Sequence, residues 1–122
     1  MTTQNPYLAG LELVKINHGT SGQAALAKCI LSLYNDVHSY SIGEILSPLD
    51  SRYTAVVMAM LQEYARHGET EELRQAGKWC AENFPGLLEM SQAMYAARAA
   101  VRRRWDEERE AENRRLYPDE YR

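Results

Sequence analysis

Four arginines, Arg98, Arg102, Arg103 and Arg104, fall within roughly one and a half turns of one helical stretch, with Tyr95 and Trp105 flanking them. Guanidinium groups contact phosphates and aromatic rings stack on bases, so nucleic-acid binding is one chemistry such a run performs. Five acids follow directly: Asp106, Glu107, Glu108, Glu110 and Glu112. From Arg98 to Arg115, seven arginines against five acids leave a net charge of only +2. The acids would repel a nucleic-acid backbone and pair with the arginines, so a zwitterionic, salt-bridged helix face is the plainer reading. Arg, Trp and Tyr are also the residue types enriched at protein-binding hot spots. The leading expectation is therefore a docking face built from Tyr95, Arg98, Arg102, Arg103, Trp105 and Arg109.

Other chemistries find less support. His18, His38 and His67 show neither HxxxH nor HExxH spacing, and Cys29 and Cys80 are 51 positions apart, so the short ligand spacing of a zinc site is missing. No GxSxG, cysteine-protease or kinase signature is present. Both cysteines sit in apolar helical stretches, where a buried reduced thiol is inert. Gly19-Thr20-Ser21-Gly22-Gln23 leads into a helix, and a helix N-terminus can hold an anion. It lacks GxxxxGK[ST], and a tight turn with an N-cap accounts for it. Glu69, Glu71 and Glu72, like the acids after Trp105, read as solvated faces and not as catalytic pairs with separated pKa values. The expectation is no catalytic residue, no metal and no cofactor.

Composition sets the frame for these side chains. The chain has 122 residues, 45% hydrophobic and 25% charged, the make-up of one ordinary globular domain. Its net charge of −3 argues against a strongly basic nucleic-acid binder. Two cysteines are too few for a disulfide scaffold. Met1 to Asn5 has no basic region ahead of an apolar run, and no stretch has 18 uncharged apolar residues. The expected setting is the cytoplasm, with no membrane contact.

The dominant period along the chain is helical. Asn5 can cap a first helix with Pro6 at its first position, carrying Tyr7, Leu8, Leu11, Leu13 and Val14 until Gly19. Thr20 or Ser21 caps a second, running to about Asp36, with Leu26, Cys29, Ile30, Leu33 and Tyr34 inward. Ser41 and Glu44 have capping-box spacing ahead of a short helical stretch that ends before Pro48, although an extended Ser39 to Ile42 is an alternative. Asp50 or Ser51 opens Arg52 to about His67, with Tyr53, Val56, Val57, Met60, Leu61 and Tyr64 buried. Thr70 opens Glu71 to about Asn83, with Leu73, Ala76, Trp79, Cys80 and Phe84 inward, and Pro85-Gly86 breaks it.

From Leu87 one long helix runs to about Leu116. Leu87, Met90, Met94, Val101 and Trp105 share a face, and after Trp105 the apolar stripe ends. A helix polar all round must be held by side-chain pairs or a partner. The i,i+4 pairs available are Arg102/Asp106, Arg103/Glu107, Arg104/Glu108 and Glu110/Arg114. The tail from Leu116 to Arg122 either folds back on the core or serves as a short recognition segment.

The central stretch carries a resemblance. Gly22-Gln23, then Ile30-Leu31-Ser32-Leu33-Tyr34-Asn35, a loop reaching Ile42 and Ile45, and Leu49-Asp50 opening a helix are similar to a small bacterial domain family without an assigned activity. Its members occur on plasmids, integrated elements or phage-like regions. The similarity covers roughly residues 13–68, and Leu33-Tyr34 stands where the family has an aromatic pair. It implies a mobile-element neighbourhood, where small proteins commonly bind host macromolecules and some block defence complexes, CRISPR effectors among them.

The expectation is thus an all-α single domain over residues 1–122. It is a compact bundle of five or six helices with a long C-terminal helix projecting beyond the core, and 106–122 form an exposed extension and tail. The expected function is a non-enzymatic protein-interaction module, an inhibitor of a host protein or complex. The alternatives are nucleic-acid binding through Arg98 to Arg104, and a structural homodimer in which the long helix pairs with its copy through Met94, Val101 and Trp105.

Overall fold

Five of the six helices start at a short polar side chain. In the computed structural model, which describes residues 4–121, Asn5 Oδ1 accepts the amide of Tyr7 at 2.9 Å and opens α1 (Pro6–Ile16). Thr20 caps α2 (Ser21–Tyr34), Ser41 caps α3 (Ile42–Leu46), Asp50 caps α4 (Ser51–His67) and Thr70 caps α5 (Glu71–Asn83). These are the residues whose oxygens satisfy otherwise orphaned amides in the first turn. Then α6 (Pro85–Leu116) follows Phe84 and has no side-chain cap, and 3₁₀ turns occupy Asp36–His38 and Pro118–Tyr121. Among the described residues the fold is all-α, six helices without a strand, as the periodicity predicts. Met1, Thr2 and Thr3, part of the stretch read for a leader, and Arg122 of the tail lie outside the described residues.

The core lies between α1, α2, α4 and α5. Tyr7, Val14, Leu26, Ile30, Leu31, Val57, Met60 and Leu73 are fully buried, and both thiols lie among them as free cysteines. Gln23 locks the α1–α2 hairpin: its Nε2 donates to the Val14 carbonyl at 2.7 Å, and its Oε1 accepts the Gly19 amide at 2.9 Å. Helices α2 and α5 come close because Gly77 faces Tyr34. A Cβ at position 77 would sit 2.1 Å from Tyr34 Cγ.

Four boundaries and burials differ from expectation. Helix α2 stops at Tyr34 because Asn35 turns extended and its side chain caps the following 3₁₀ turn through the Val37 amide. The chain between that turn and α3 has extended backbone at Ser39 and Ser41, so both readings of this stretch hold over part of it. Helix α6 begins at Pro85 and not after Gly86: proline at the first helical position needs no amide partner and brings the right φ. Finally, α4 buries only Val57 and Met60 fully. Tyr53, Val56 and Leu61 are half-buried and Tyr64 is exposed, because α4 packs on α1 and α2 along one narrow face.

Helix α6 is fastened at its start and free thereafter. Leu87, Leu88 and Met94 pack on the core, and Ser91 is buried at 1% exposure. Ser91 Oγ donates to the Leu88 carbonyl at 3.0 Å and lies 3.1 Å from His38 Nδ1. With the serine proton so committed, the proton of the second bond belongs on His38 Nδ1. The Tyr40 hydroxyl donates to the Leu87 carbonyl at 2.6 Å. Met94 is the last residue of α6 packed on the core. At about 1.5 Å per residue, some 33 Å of helix continue beyond it. The tail after Pro118 makes its 3₁₀ turn against α6 and leaves Leu116 and Tyr117 exposed.

Candidate interaction surface

The segment that escapes the core carries the expected docking residues. Ala97, Arg98, Val101, Arg102 and Trp105 line one shallow apolar hollow on the side of α6. Successive helical residues are rotated by about 100°, so positions 98, 101, 102 and 105 share a face and 109 joins them one turn on. Trp105 is 56% exposed and is therefore outside the core of the single chain. The structure brings Arg98, Arg102 and Trp105 together, with Arg109 adjoining. Arg103 falls on the opposite side of the helix and Tyr95 on the flank, so these two do not share the face. Met90, expected on the same stripe, is exposed as well.

The ion pairs differ from those expected. Arg102/Asp106 and Arg103/Glu107 do not form, and Arg104–Glu108 is long at 3.7 Å. Asp106 pairs instead with Arg109, and Glu112 with Arg115 at 2.9 Å, while the expected Glu110–Arg114 pair forms at 2.8 Å. The three close pairs all place the acid before the base, the order that complements the helix dipole. Arg98, Arg102 and Arg103 therefore carry no ion pair among the described residues. Exposed pairs of this kind contribute little, typically below about 1 kcal/mol. They add only a little to the helicity of the segment.

The remaining sequence candidates serve the fold. Thr20 Oγ1 accepts the Gln23 amide at 3.0 Å and Gln23 Oε1 accepts that of Gly19, the bonds of an N-cap and a tight turn. His38 reaches Ser91, and His67 Nδ1 lies 3.0 Å from Glu63. Among the described residues no three His, Cys, Asp or Glu side chains converge on a metal-sized space. Burial pushes the thiols of Cys29 and Cys80 up to about 12, which keeps them protonated and unreactive at neutral pH. Glu71 pairs with Arg74 at 3.1 Å on the surface. Glu44 completes only half a capping box, because its carboxylate reaches Lys28 at 3.2 Å.

Two features escaped the sequence reading. The outer face of α4 presents Ala55, Met58, Ala59, Leu61 and Gln62 as an open apolar hollow. The signal was Met58 among small residues at helical spacing. The second is the place of Leu116 on the face of Trp105: read in sequence only as the end of the helix and the start of the tail, it is exposed at the far end of α6.

No described helix is long and apolar enough to cross a membrane. Comparison with family models, with curated proteins and with solved structures finds no match for this chain.

Proposed function

We propose that this chain is a non-enzymatic protein-interaction module that docks its partner through α6. The observation that carries the reading is the uncovered face of that helix, with Trp105 exposed between Arg98, Arg102 and Arg109. A helix held by weak surface pairs gains most from a partner that covers its exposed apolar rings, Trp105 first among them. The resemblance read in residues 13–68 favours a host protein or complex as the partner, with inhibition as the consequence of binding. Two free, buried thiols suit a reducing cytoplasm.

The test is binding of a captured partner by the wild type and by Trp105→Ala/Arg102→Ala. Hot-spot truncations typically cost about 2 kcal/mol or more each, so affinity is expected to fall at least thirtyfold. Unchanged affinity with an unchanged melting temperature overturns the reading.

Nucleic acid is the rival, favoured by Arg98, Arg102 and Arg103 having no ion pair among the described residues. It requires affinity that falls steeply with salt, through counterion release. The five acids after Trp105 oppose it.

A further inference from the structure

We infer that the surface of α6 is built to receive a second copy of this chain, running antiparallel and related by a two-fold axis at Trp105. The inference rests on the docking reading above for its surface, the exposed face of α6, and goes beyond it in giving that face a second copy of the chain as occupant.

The argument starts from spacing. Residues three, four, seven and eleven positions either side of a helical residue lie within about 60° of it. Around Trp105 those positions are Met94, Arg98, Val101 and Arg102 on one side, and Glu108, Arg109, Glu112 and Leu116 on the other. All nine belong to α6, and beyond Met94 and Val101, which are half-buried, every one is exposed. The face is symmetric about Trp105 in position, and two of its four mirrored pairs are inverted in charge, Arg98 with Glu112 and Arg102 with Glu108.

A two-fold axis through Trp105 sets each residue against the one equally far on the other side. Met94 then meets Leu116 of the second copy. Arg98 meets Glu112, Arg102 meets Glu108, and Val101 lies under the aliphatic stem of Arg109. Every such contact occurs twice, and the two indoles meet at the centre. A parallel pair would set Arg98 on Arg98 and Glu112 on Glu112, like charge on like, which is unfavourable.

Two further observations agree. Arg98 and Arg102 have no ion pair among the described residues, and Glu108 is held only by the 3.7 Å contact with Arg104, so three of the four charges lack a close competitor within the chain. The free length of α6 also matches. It starts at Met94, the last residue on the core, and ends at Leu116, so Trp105 is its midpoint. In the antiparallel pair the two bodies therefore sit at opposite ends of the paired helices. The strip is about 34 Å long, a small interface, so association is expected to depend on concentration and to weaken with added salt.

The experiment is sedimentation of the full chain across a concentration series, with charge reversals. Arg98→Glu/Arg102→Glu and Glu108→Arg/Glu112→Arg are each expected to weaken dimerisation at least tenfold. All four changes in one chain are expected to restore it, because the antiparallel register then pairs opposite charges again. All four positions lie outside the core, so folding is preserved, and circular dichroism checks it. A wild type that stays monomeric at hundreds of micromolar overturns the second copy as partner. The thirtyfold test with Trp105→Ala/Arg102→Ala then decides the docking reading separately. A dimer that the fourfold variant fails to restore overturns the antiparallel register. A monomer that shifts a single-stranded oligonucleotide in proportion to Arg98 and Arg102 overturns the inference in favour of nucleic acid.

Discussion

The Tyr40 hydroxyl donates to the Leu87 carbonyl at 2.6 Å, across 47 residues of chain, and ties the loop after α2 to the first turn of α6. Tyr40 is buried, and burial, with the Glu44 carboxylate next, raises its hydroxyl above the ordinary tyrosine value. The donor proton is therefore retained through the physiological range. Tyr40→Phe keeps the ring and removes only this bond. A net hydrogen bond contributes about 1 kcal/mol, so the variant is expected to melt several degrees lower. An unchanged melting temperature would show that the ring alone holds α6.

Gly77 makes the opposite kind of prediction from an ordinary helical glycine. Replacing glycine by alanine in a helix gains roughly 1 kcal/mol in propensity. At Gly77 the new methyl would lie 2.1 Å from Tyr34 Cγ and 2.5 Å from Tyr34 Cβ, close to the backbone of α2, where a side chain cannot swing away. Overpacking of this kind costs about 1–3 kcal/mol and wins. Gly77→Ala is expected to be destabilised in urea titration, whereas Gly86→Ala, with nothing within 4 Å of its Cβ, is expected to match or exceed the wild type.

Much of this architecture is legible in the sequence because it is local. Asn5, Thr20, Ser41, Asp50 and Thr70 cap the helices that they precede, since capping involves only residues a few positions apart. The Tyr34–Gly77 approach is not legible, because it joins residues 43 positions apart. Nor is the point where α6 leaves the core. Ala97, Val101 and Trp105 continue the apolar stripe, yet among the described residues Met94 packs on the core and Trp105 is exposed. The ion pairs fall between these cases. The i,i+4 spacing is visible, but Arg102 and Arg103 do not pair and Arg104, with the same base-before-acid order, reaches Glu108 only at 3.7 Å.

Alkaline pH should unfold the protein earlier than its surface charge suggests. Burial is the main cause that lifts the Cys29 and Cys80 thiols from 9.0, and the Tyr7 hydroxyl from 10.0, to about 12 in the folded chain. For Tyr7 the Glu63 carboxylate adds to this, while Lys15 partly opposes it at Cys80. In the unfolded chain these groups lose their protons at the lower values, so above about pH 9 the unfolded state binds fewer protons and is favoured. Stability is fully present below pH 9 and declines as pH rises towards 12. Urea midpoints are expected to be insensitive to these groups up to about pH 8.5 and to fall beyond pH 9. Over the same range a thiol reagent should modify the native protein only as fast as it opens. Rapid labelling of folded protein at pH 8 would contradict the burial.

Trp105 and Leu26 should separate surface from core. Leu26 is fully buried among α1, α2 and their neighbours, so Leu26→Ala is expected to cost about 2–5 kcal/mol. Trp105→Ala removes a larger side chain at 56% exposure, beyond the last core contact at Met94, and should leave the monomer's melting temperature within a degree or two. Hydrogen exchange reads the same division along the chain. Amides of α2 should exchange only by global unfolding. Those from 96 to 116 in a dilute monomer depend on pairs worth about 0.2–0.5 kcal/mol each and should exchange orders of magnitude faster. Protection of that segment is expected to rise with protein concentration, because the antiparallel partner covers the same stretch of α6. In Trp105→Ala the concentration dependence should disappear while α2 stays protected. Protection in 96–116 that is high at every concentration and indifferent to Trp105 would mean that the helix is held within the single chain.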